Sequence, residues 1–132
     1  MAAHTPILLI VFNRPAETQQ VFNAIRNIQP AQLYIAADGP RPDRPDDIEN
    51  CAKVREIVSN VSWPCTVKTL YREKNLGCML GVSGAIDWFF ENEEAGIILE
   101  DDCLPHPDFW RFCGELLDKY ADDERVFMIS GD

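Results

Sequence analysis

The sequence predicts an α/β fold with a Rossmann-like, doubly wound and mostly parallel sheet that is flanked by helices. Short apolar runs of strand length alternate along the chain with longer segments whose apolar residues recur at helical spacing. Most of the short runs are apolar at every position, which is typical of strands covered by helices on both faces. With 132 residues and 46% hydrophobic content, the chain can bury one core. We therefore expect a single domain, residues 1–132, whose parallel strands are joined by right-handed crossovers.

Five segments are predicted to be strands. The first, second and fourth are continuous apolar runs that end at polar or turn-forming residues, and the third alternates in the β sense. The fifth is a short apolar run after the last helix. In chain order, the predicted strands cover residues 6–12, 33–37, 66–71, 96–99 and 126–129.

Four segments between these strands are predicted to be helices. The first starts at Pro15, because proline suits the first turn of a helix, and the second starts near Asp46 with a less regular apolar face. The third follows a polar turn over residues 72–77 and contains Gly81 and Gly84, which lower helix propensity and therefore indicate close packing. The fourth has the most regular spacing, with an apolar face made of Phe109, Phe112, Cys113, Leu116, Leu117 and Tyr120.

The composition excludes several classes of protein. The formal charge of −10 comes from 22 acidic and 12 basic residues, whereas a nucleic-acid binder usually has the opposite balance. The longest apolar run, residues 7–12, is far shorter than the roughly 20 residues of a membrane helix, so we expect no integral membrane segment. Five cysteines without a C-x-x-C pair argue against a disulfide framework and a zinc site, and predict reduced thiols in a cytoplasmic protein.

Polar residues follow the predicted strands at their carboxyl ends. In open α/β sheets this edge binds ligands, near the point where the strand order reverses. An acidic protein can bind an anionic nucleotide there if a divalent cation intervenes or if backbone N–H groups at a helix start face the phosphates. The residues at these ends are Asn13 and Arg14, Asp38 and Gly39, Glu100 to Asp102, and Ser130 to Asp132.

The acidic run Glu100, Asp101 and Asp102 is the candidate metal motif. If the strand stays extended, Glu100 and Asp102 project to one side and Asp101 to the other. A hard cation such as Mn²⁺ or Mg²⁺ takes oxygen ligands and completes its shell with water and phosphate oxygens, and Asp102, nearest the loop, is the expected direct ligand. The alternative is that the three acids are solvated or cap the following helix.

Three further features have two interpretations each. Arg14 can bind a phosphate or stack on a base, or it can be a surface salt-bridge partner. Asp38 can accept hydrogen bonds from a base or ribose, or it can simply belong to a turn. Residues 74–77 can form only a helix start, or their amides can face a diphosphate.

These motifs resemble those of a known enzyme family. The segment PILLIVFNR at residues 6–14, then Asp38 and Gly39, then GIILEDDCLPHPDF at residues 96–109 are similar to the start, middle and metal motif of GT-A glycosyltransferases. The similarity is greatest to the N-acetylglucosaminyltransferase I type, in which an E-D-D run precedes a similar P-D-F-F helix start. It extends over nearly the whole chain, in the same order.

The resemblance implies a role for each candidate residue. Asp102 would coordinate Mn²⁺ or Mg²⁺, Glu100 and Asp101 would contact the sugar or ribose, and Arg14 and Asp38 would hold the uracil ring of a UDP-sugar. The family's reaction is attack by an acceptor hydroxyl, on a glycan or another molecule, at the anomeric carbon of a nucleotide-diphosphate sugar. The general base would lie beyond residue 132, so the chain would be the N-terminal, nucleotide-binding part of a longer catalytic domain.

Three other functions remain as alternatives. A nucleotide-sugar-binding module without catalysis would use the same residues. A metal-dependent nucleotidyl or phosphoryl transferase would also use acids at strand ends, although no glycine-rich phosphate loop follows the first strand. A flavodoxin-like interaction domain with an acidic pocket would need acids after the first strand, where this chain has Asn13 and Arg14, and a lysine after the fifth.

Overall fold

Four strands and four helices alternate along residues 4–131, which are the residues that the structure, a computed structural model, describes. The strict alternation confirms the predicted α/β class, and the first four predicted strands and all four predicted helices are present. In chain order the elements are β1 (Ile7–Val11), α1 (Pro15–Ile28), β2 (Gln32–Ala37), α2 (Pro45–Val58), β3 (Thr66–Tyr71), α3 (Gly77–Asn92), β4 (Ile97–Glu100) and α4 (Asp108–Lys119).

The four strands form one parallel sheet in the order β3-β2-β1-β4. Ile7 of β1 is opposite Leu33 of β2 on one side and Ile97 of β4 on the other. The chain builds the sheet outward from β1 to β3 and then crosses to the far side of β1, so the strand order reverses between β1 and β4. A parallel, helix-flanked sheet of this order fits a Rossmann-like fold.

Helices cover both faces of the sheet, which explains why the central strands are apolar at successive positions. Ile7, Leu9 and Val11 of β1 pack into a cluster with residues of α1, α2 and α4. Leu8 points to the opposite face, where it packs with Phe89 of α3. Three helices therefore cover one face and α3 covers the other.

Proline starts two of the helices, as the sequence predicts for the first of them. Pro15 and Pro45 occupy the first turns of α1 and α2, where a missing N–H costs no helical hydrogen bond. None of the helices in residues 4–131 combines the length and the apolar character that a membrane crossing requires. The five cysteines form no disulfide.

The predicted fifth strand is wrong. Residues 126–129 are in no strand, and Phe127 and Met128 are 94% and 78% exposed. The N–H of Val126 closes a turn onto the carbonyl oxygen of Asp123, and within the described residues β4 pairs with β1 alone. A short apolar run has the composition of a strand but becomes one only when a neighbouring strand accepts its backbone hydrogen bonds, which composition cannot reveal.

Candidate functional site

A cavity of about 310 Å³ lies at the carboxyl edge of the sheet, between the strand ends and the first turns of α3. Its floor and walls include apolar residues of β1, β2, β3 and α3, among them Ile10, Ala36, Leu70 and Val82. We call it the edge pocket. The polar and charged side chains that line it are Arg14, Asp38, Arg41, Arg72, Asn75, Glu100 and Asp101.

The edge pocket brings together four of the five residues that the sequence singled out. Arg14, Asp38, Glu100 and Asp101 line it, although they come from three different strand ends. Asp102 does not line the edge pocket, but it contacts Arg14, which does line it. Parallel strands that end at one edge of the sheet produce this convergence.

Arg14 joins the end of β1 to the acidic run after β4. Its Nη2 lies 3.7 Å from Asp101 Oδ1, and its Nη1 lies 3.4 Å from Asp102 Oδ2. The Arg14 and Asp102 side chains are each 51% exposed, whereas the Asp101 side chain is only 7% exposed. The contact with Asp102 is therefore a surface ion pair, a kind that contributes at most about 1 kcal/mol.

The acidic run does not stay extended, contrary to the geometry expected for it. Strand β4 ends at Glu100, and the N–H of Cys103 bonds to the carbonyl oxygen of Glu100 at 3.1 Å, which closes a turn. The turn directs Asp101 inward, so that Glu100 and Asp101, and not Glu100 and Asp102, share the edge pocket. Burial raises the pKa of Asp101 above its ordinary value against the opposing effect of Arg14.

The acids have the chemistry of a hard-cation site in which the protein supplies few ligands. Within residues 4–131, no group of three or more His, Cys, Asp or Glu side chains is arranged to hold a metal ion. A Mg²⁺ or Mn²⁺ that binds with one or two carboxylates, water and phosphate oxygens does not need such a group. Glu100 and Asp102 are both exposed carboxylates next to the edge pocket, so their oxygens fit such a cation.

Asp38 is occupied by the protein itself. Its Oδ1 accepts hydrogen bonds from the backbone N–H groups of Gly39 and Leu76, both at 2.9 Å. Its Oδ2 accepts from the Gly77 N–H and the Asn75 side-chain amide, both at 3.1 Å. The amides of Leu76 and Gly77, which the sequence offered as diphosphate donors, thus bond to Asp38.

Gly39 lets the loop before α3 pack closely on the end of β2. A Cβ at this position would lie 2.6 Å from the carbonyl carbon of Lys74 and 2.7 Å from that of Glu73. The Asn75 amide also donates to the Gly39 carbonyl oxygen at 2.9 Å. Any residue larger than glycine would force the loop at residues 73–76 away from the strand end.

Arg55 of α2 binds the backbone directly after both β2 and β3. Its Nη2 donates to the carbonyl oxygens of Arg72, at 2.6 Å, and Asp38, at 3.3 Å. Its guanidinium also lies 4.9 Å from the centre of the Tyr71 ring. The backbone after two neighbouring strands, at one end of the edge pocket, is therefore held by a cation that does not itself line the pocket.

The sequence analysis missed a buried acid behind the edge pocket. Asp47 accepts hydrogen bonds from Arg41 Nε at 2.7 Å, from Arg41 Nη2 at 3.0 Å and from the Asn13 side-chain amide at 2.9 Å. These bonds, chiefly those from Arg41, hold the pKa of Asp47 well below its ordinary value. No signal in the sequence separates Asp47 from Asp46 beside it, since acids in the first turn of a helix are usually exposed.

The sequence analysis also missed Arg72, directly after β3. Of the cations that line the edge pocket in the described part of the chain, Arg72 is the one whose guanidinium makes no hydrogen bond or ion pair with the protein. Gly84 leaves room for it, because a Cβ there would lie 3.1 Å from Arg72 Nη2. At Gly81 a Cβ would lie 3.3 Å from Asp38 Oδ2, so the close packing predicted for both glycines is confirmed.

The remaining strand-end and loop candidates lie elsewhere. His106, which the sequence places between two prolines, is exposed, and its Nδ1 accepts the N–H of Asp108 at 3.2 Å, outside the edge pocket. Ser130 and Gly131 are exposed and do not line it either. Asp132 lies outside the described residues.

Protein-family models, curated proteins and solved structures were all compared with the chain, and none of them matches it. The likeness to GT-A glycosyltransferases consequently depends on the motifs themselves, and a function has to be argued from the geometry of the edge pocket.

Proposed function

We propose that this chain binds a nucleotide-diphosphate sugar, a UDP-sugar by the resemblance, as the donor half of a glycosyltransferase. The observation that carries the proposal is the edge pocket, which lies at the carboxyl edge of a parallel sheet and is lined by four of the five residues selected from sequence. Pockets at this edge, near a reversal of strand order, are the usual ligand sites of such sheets.

The edge pocket has complementary chemistry at its two ends. Toward β2 and β3 its walls are apolar, with Ala36, Leu70 and Val82 offering a surface for a planar base. Toward β4 it presents the carboxylates of Glu100 and Asp101. We assign the base to the apolar end and the ribose and diphosphate to the acidic end.

Two arginines supply donors for the oxygen atoms of the nucleotide. Within residues 4–131 the Arg72 guanidinium has no protein acceptor, so a carbonyl oxygen of the base can bind it without breaking an existing bond. Arg14 contacts Asp102 through an exposed ion pair at 3.4 Å, which it can exchange for a phosphate oxygen at small cost. Arg72 thus lies at the end assigned to the base, and Arg14 lies beside the acids, where it can balance the charge of a diphosphate.

In this proposal Asp102 holds Mn²⁺ or Mg²⁺ together with water and phosphate oxygens. When bound, such a cation stabilises the negative charge that develops on a departing diphosphate. The acceptor, a glycan or another hydroxyl compound, and the general base that removes its proton are not assigned to residues of this chain. The free state of all five cysteines agrees with the cytoplasmic location that we propose.

The proposal is tested by calorimetric titration of UDP into the chain with Mn²⁺ and then with EDTA. We expect binding that requires the metal. Asp102→Ala should weaken the metal-dependent binding by about tenfold or more, because the direct ligand is lost, while the thermal unfolding midpoint stays the same since Asp102 is exposed.

Asp122→Ala is the matched control. Asp122 is also an exposed aspartate, in the turn that follows α4, and its loss should leave UDP binding unchanged. Equal metal-dependent binding by the Asp102→Ala variant and the wild-type chain would refute the assignment of Asp102.

A further inference from the structure

We infer that Asp38 acts on the nucleotide as a positioning residue, by holding the loop of residues 72–77, and does not itself contact the base. The inference rests on the proposed function, because it concerns the same pocket. It departs from the role that the resemblance gives to Asp38, which is direct contact with uracil.

The Asp38 carboxylate already accepts four hydrogen bonds from the protein. An ionised carboxylate has about four lone-pair positions, two on each oxygen. Asp38 uses all four, since Gly39 and Leu76 donate to Oδ1 while Asn75 and Gly77 donate to Oδ2, at distances of 2.9 to 3.1 Å. A donor on a base would have to displace one of these partners.

Asp38 accepts hydrogen bonds from backbone N–H groups at the N-terminus of α3. The residue before the helix, Leu76, provides no side-chain cap. The first N–H groups of a helix have no partner within the helix and require one from elsewhere. Asp38 provides it from the end of β2, 38 and 39 positions away along the chain from the two amides that it accepts.

The loop of residues 72–77 includes residues that line the edge pocket. The first residue of the loop is Arg72, whose guanidinium has no hydrogen-bond or ion-pair partner among the described residues. At its other end the loop leads into Gly77 and Cys78, which also line the edge pocket. Gly39 packs against the same backbone, and Arg55 binds it from the other side. Asp38 thus fixes the position of several groups that face the ligand while its own oxygens face the loop.

The test compares UDP with CDP, each with Mn²⁺, on the wild-type chain and the Asp38→Asn variant. Uracil has a hydrogen-bond donor at N3, and cytosine has an acceptor there. If Asp38 contacts the base, the substitution must lower the UDP to CDP affinity ratio, because the introduced side-chain amide can donate to cytosine and its neutral oxygen is a weaker acceptor for uracil than a carboxylate. If Asp38 holds the loop, both nucleotides weaken by the same factor, about tenfold for the loss of a charge-assisted bond, and the UDP to CDP ratio is unchanged.

Amide hydrogen exchange on the wild-type chain supplies a readout that needs no variant. We expect slow exchange at the Leu76 and Gly77 amides both without ligand and with UDP and Mn²⁺ bound. In Asp38→Asn they should exchange faster, while Asp43→Asn, an exposed aspartate of the adjoining loop, should behave as wild type.

The outcomes separate the two ideas. Faster exchange at these amides on UDP binding, or a lower UDP to CDP affinity ratio in Asp38→Asn than in the wild-type chain, would overturn the positioning role and leave the proposed function intact. Failure of the wild-type chain to bind either nucleotide with Mn²⁺ would overturn the proposed function and this inference with it.

Discussion

Among the tyrosines in the described chain, Tyr34 has the most strongly shifted pKa. Its environment explains the shift. It lies in the middle of β2, beneath α3, with its ring edge-on to those of Trp88 and Phe89. Its hydroxyl donates to Glu93 Oε1 at 2.7 Å. Burial, followed by the hydrogen bond and the charge of Glu93, raises the pKa of Tyr34 from 10.0 to about 12.

Glu93→Gln should lower the pKa of Tyr34. The decrease should be only partial, because burial is the largest cause of the shift and stays in place. Since the folded-state pKa is raised, the contribution of Tyr34 to stability is fully present below pH 10 and is lost as the pH rises to about 12. Tyrosinate absorbance against pH measures the effect. Glu94→Gln, an exposed neighbour, is the control, and an unchanged titration in Glu93→Gln would contradict this account.

Asp47 should make stability depend on pH at the acidic end. Its folded-state pKa is depressed, so its contribution is present above the ordinary carboxyl pKa of about 4 and is lost as the pH falls below that value. Asp47→Asn should therefore lower the urea midpoint clearly at pH 7 and by less at pH 3. Asp46 is one residue earlier and exposed, so Asp46→Asn should leave the urea midpoint unchanged at both pH values. An equal loss of stability at both pH values would show that the charge of Asp47 is not the cause.

Residue chemistry could be predicted from sequence only where the fold class determines position. Arg14, Asp38, Glu100 and Asp101 were found because carboxyl ends of parallel strands share one edge, whatever the strand order. Their individual partners could not be found in this way. That Asp38 bonds to the loop before α3 depends on contacts 37 to 39 residues apart, which no local pattern records.

At the scale of elements, α3 is the helix whose sequence is most closely adapted to the edge pocket. Gly81 and Gly84 lie about one turn apart in α3, where Gly81 packs against Asp38 and Gly84 against Arg72. Both glycines lower the helix propensity of α3 at these positions. This packing explains why α3 contains two glycines beyond its first residue.

Gly84→Ala should separate helix stability from ligand binding. Alanine raises helix propensity by roughly 1 kcal/mol, and its Cβ would meet only the end of the Arg72 side chain, at 3.1 Å, which can move aside. We expect an unchanged or higher unfolding midpoint together with weaker UDP binding, because Arg72 is displaced. Ser83→Ala, at an exposed position of the same helix, is the control for propensity. Full UDP affinity in Gly84→Ala would argue against a role for Arg72.

Element type could be predicted well from the periodicity of apolar residues, whereas pairing could not. The four strands within residues 4–131 are the ones that pair in parallel with a neighbouring strand. Residues 126–129 have similar composition but no hydrogen-bonded neighbour in the described chain. Similarly, the turn that ends β4 at Glu100 depends on a backbone bond from Cys103, so the alternation of the acids could not be extrapolated past it.

Across the whole molecule, the two faces of the sheet are covered unequally. Within residues 4–131, three helices bury the face that contains Leu9 and Ile35, and α3 alone covers the face that contains Leu8 and Tyr34. Met79 and Leu80 of α3 are largely exposed. The sequence predicted helices on both faces, but it could not predict how many, because that number follows from the strand order.

The order β3-β2-β1-β4 also fixes a distance. Arg72 follows β3 at one edge of the sheet, and Glu100 ends β4 at the other, so the two positions are separated by three strand spacings, about 14 Å. The width of the sheet thus keeps the backbone positions of these two residues apart, and their side chains face a ligand from opposite ends of the edge pocket. A ligand that reaches across the sheet can therefore meet a guanidinium at one end and carboxylates at the other, so the strand order gives the edge pocket a direction.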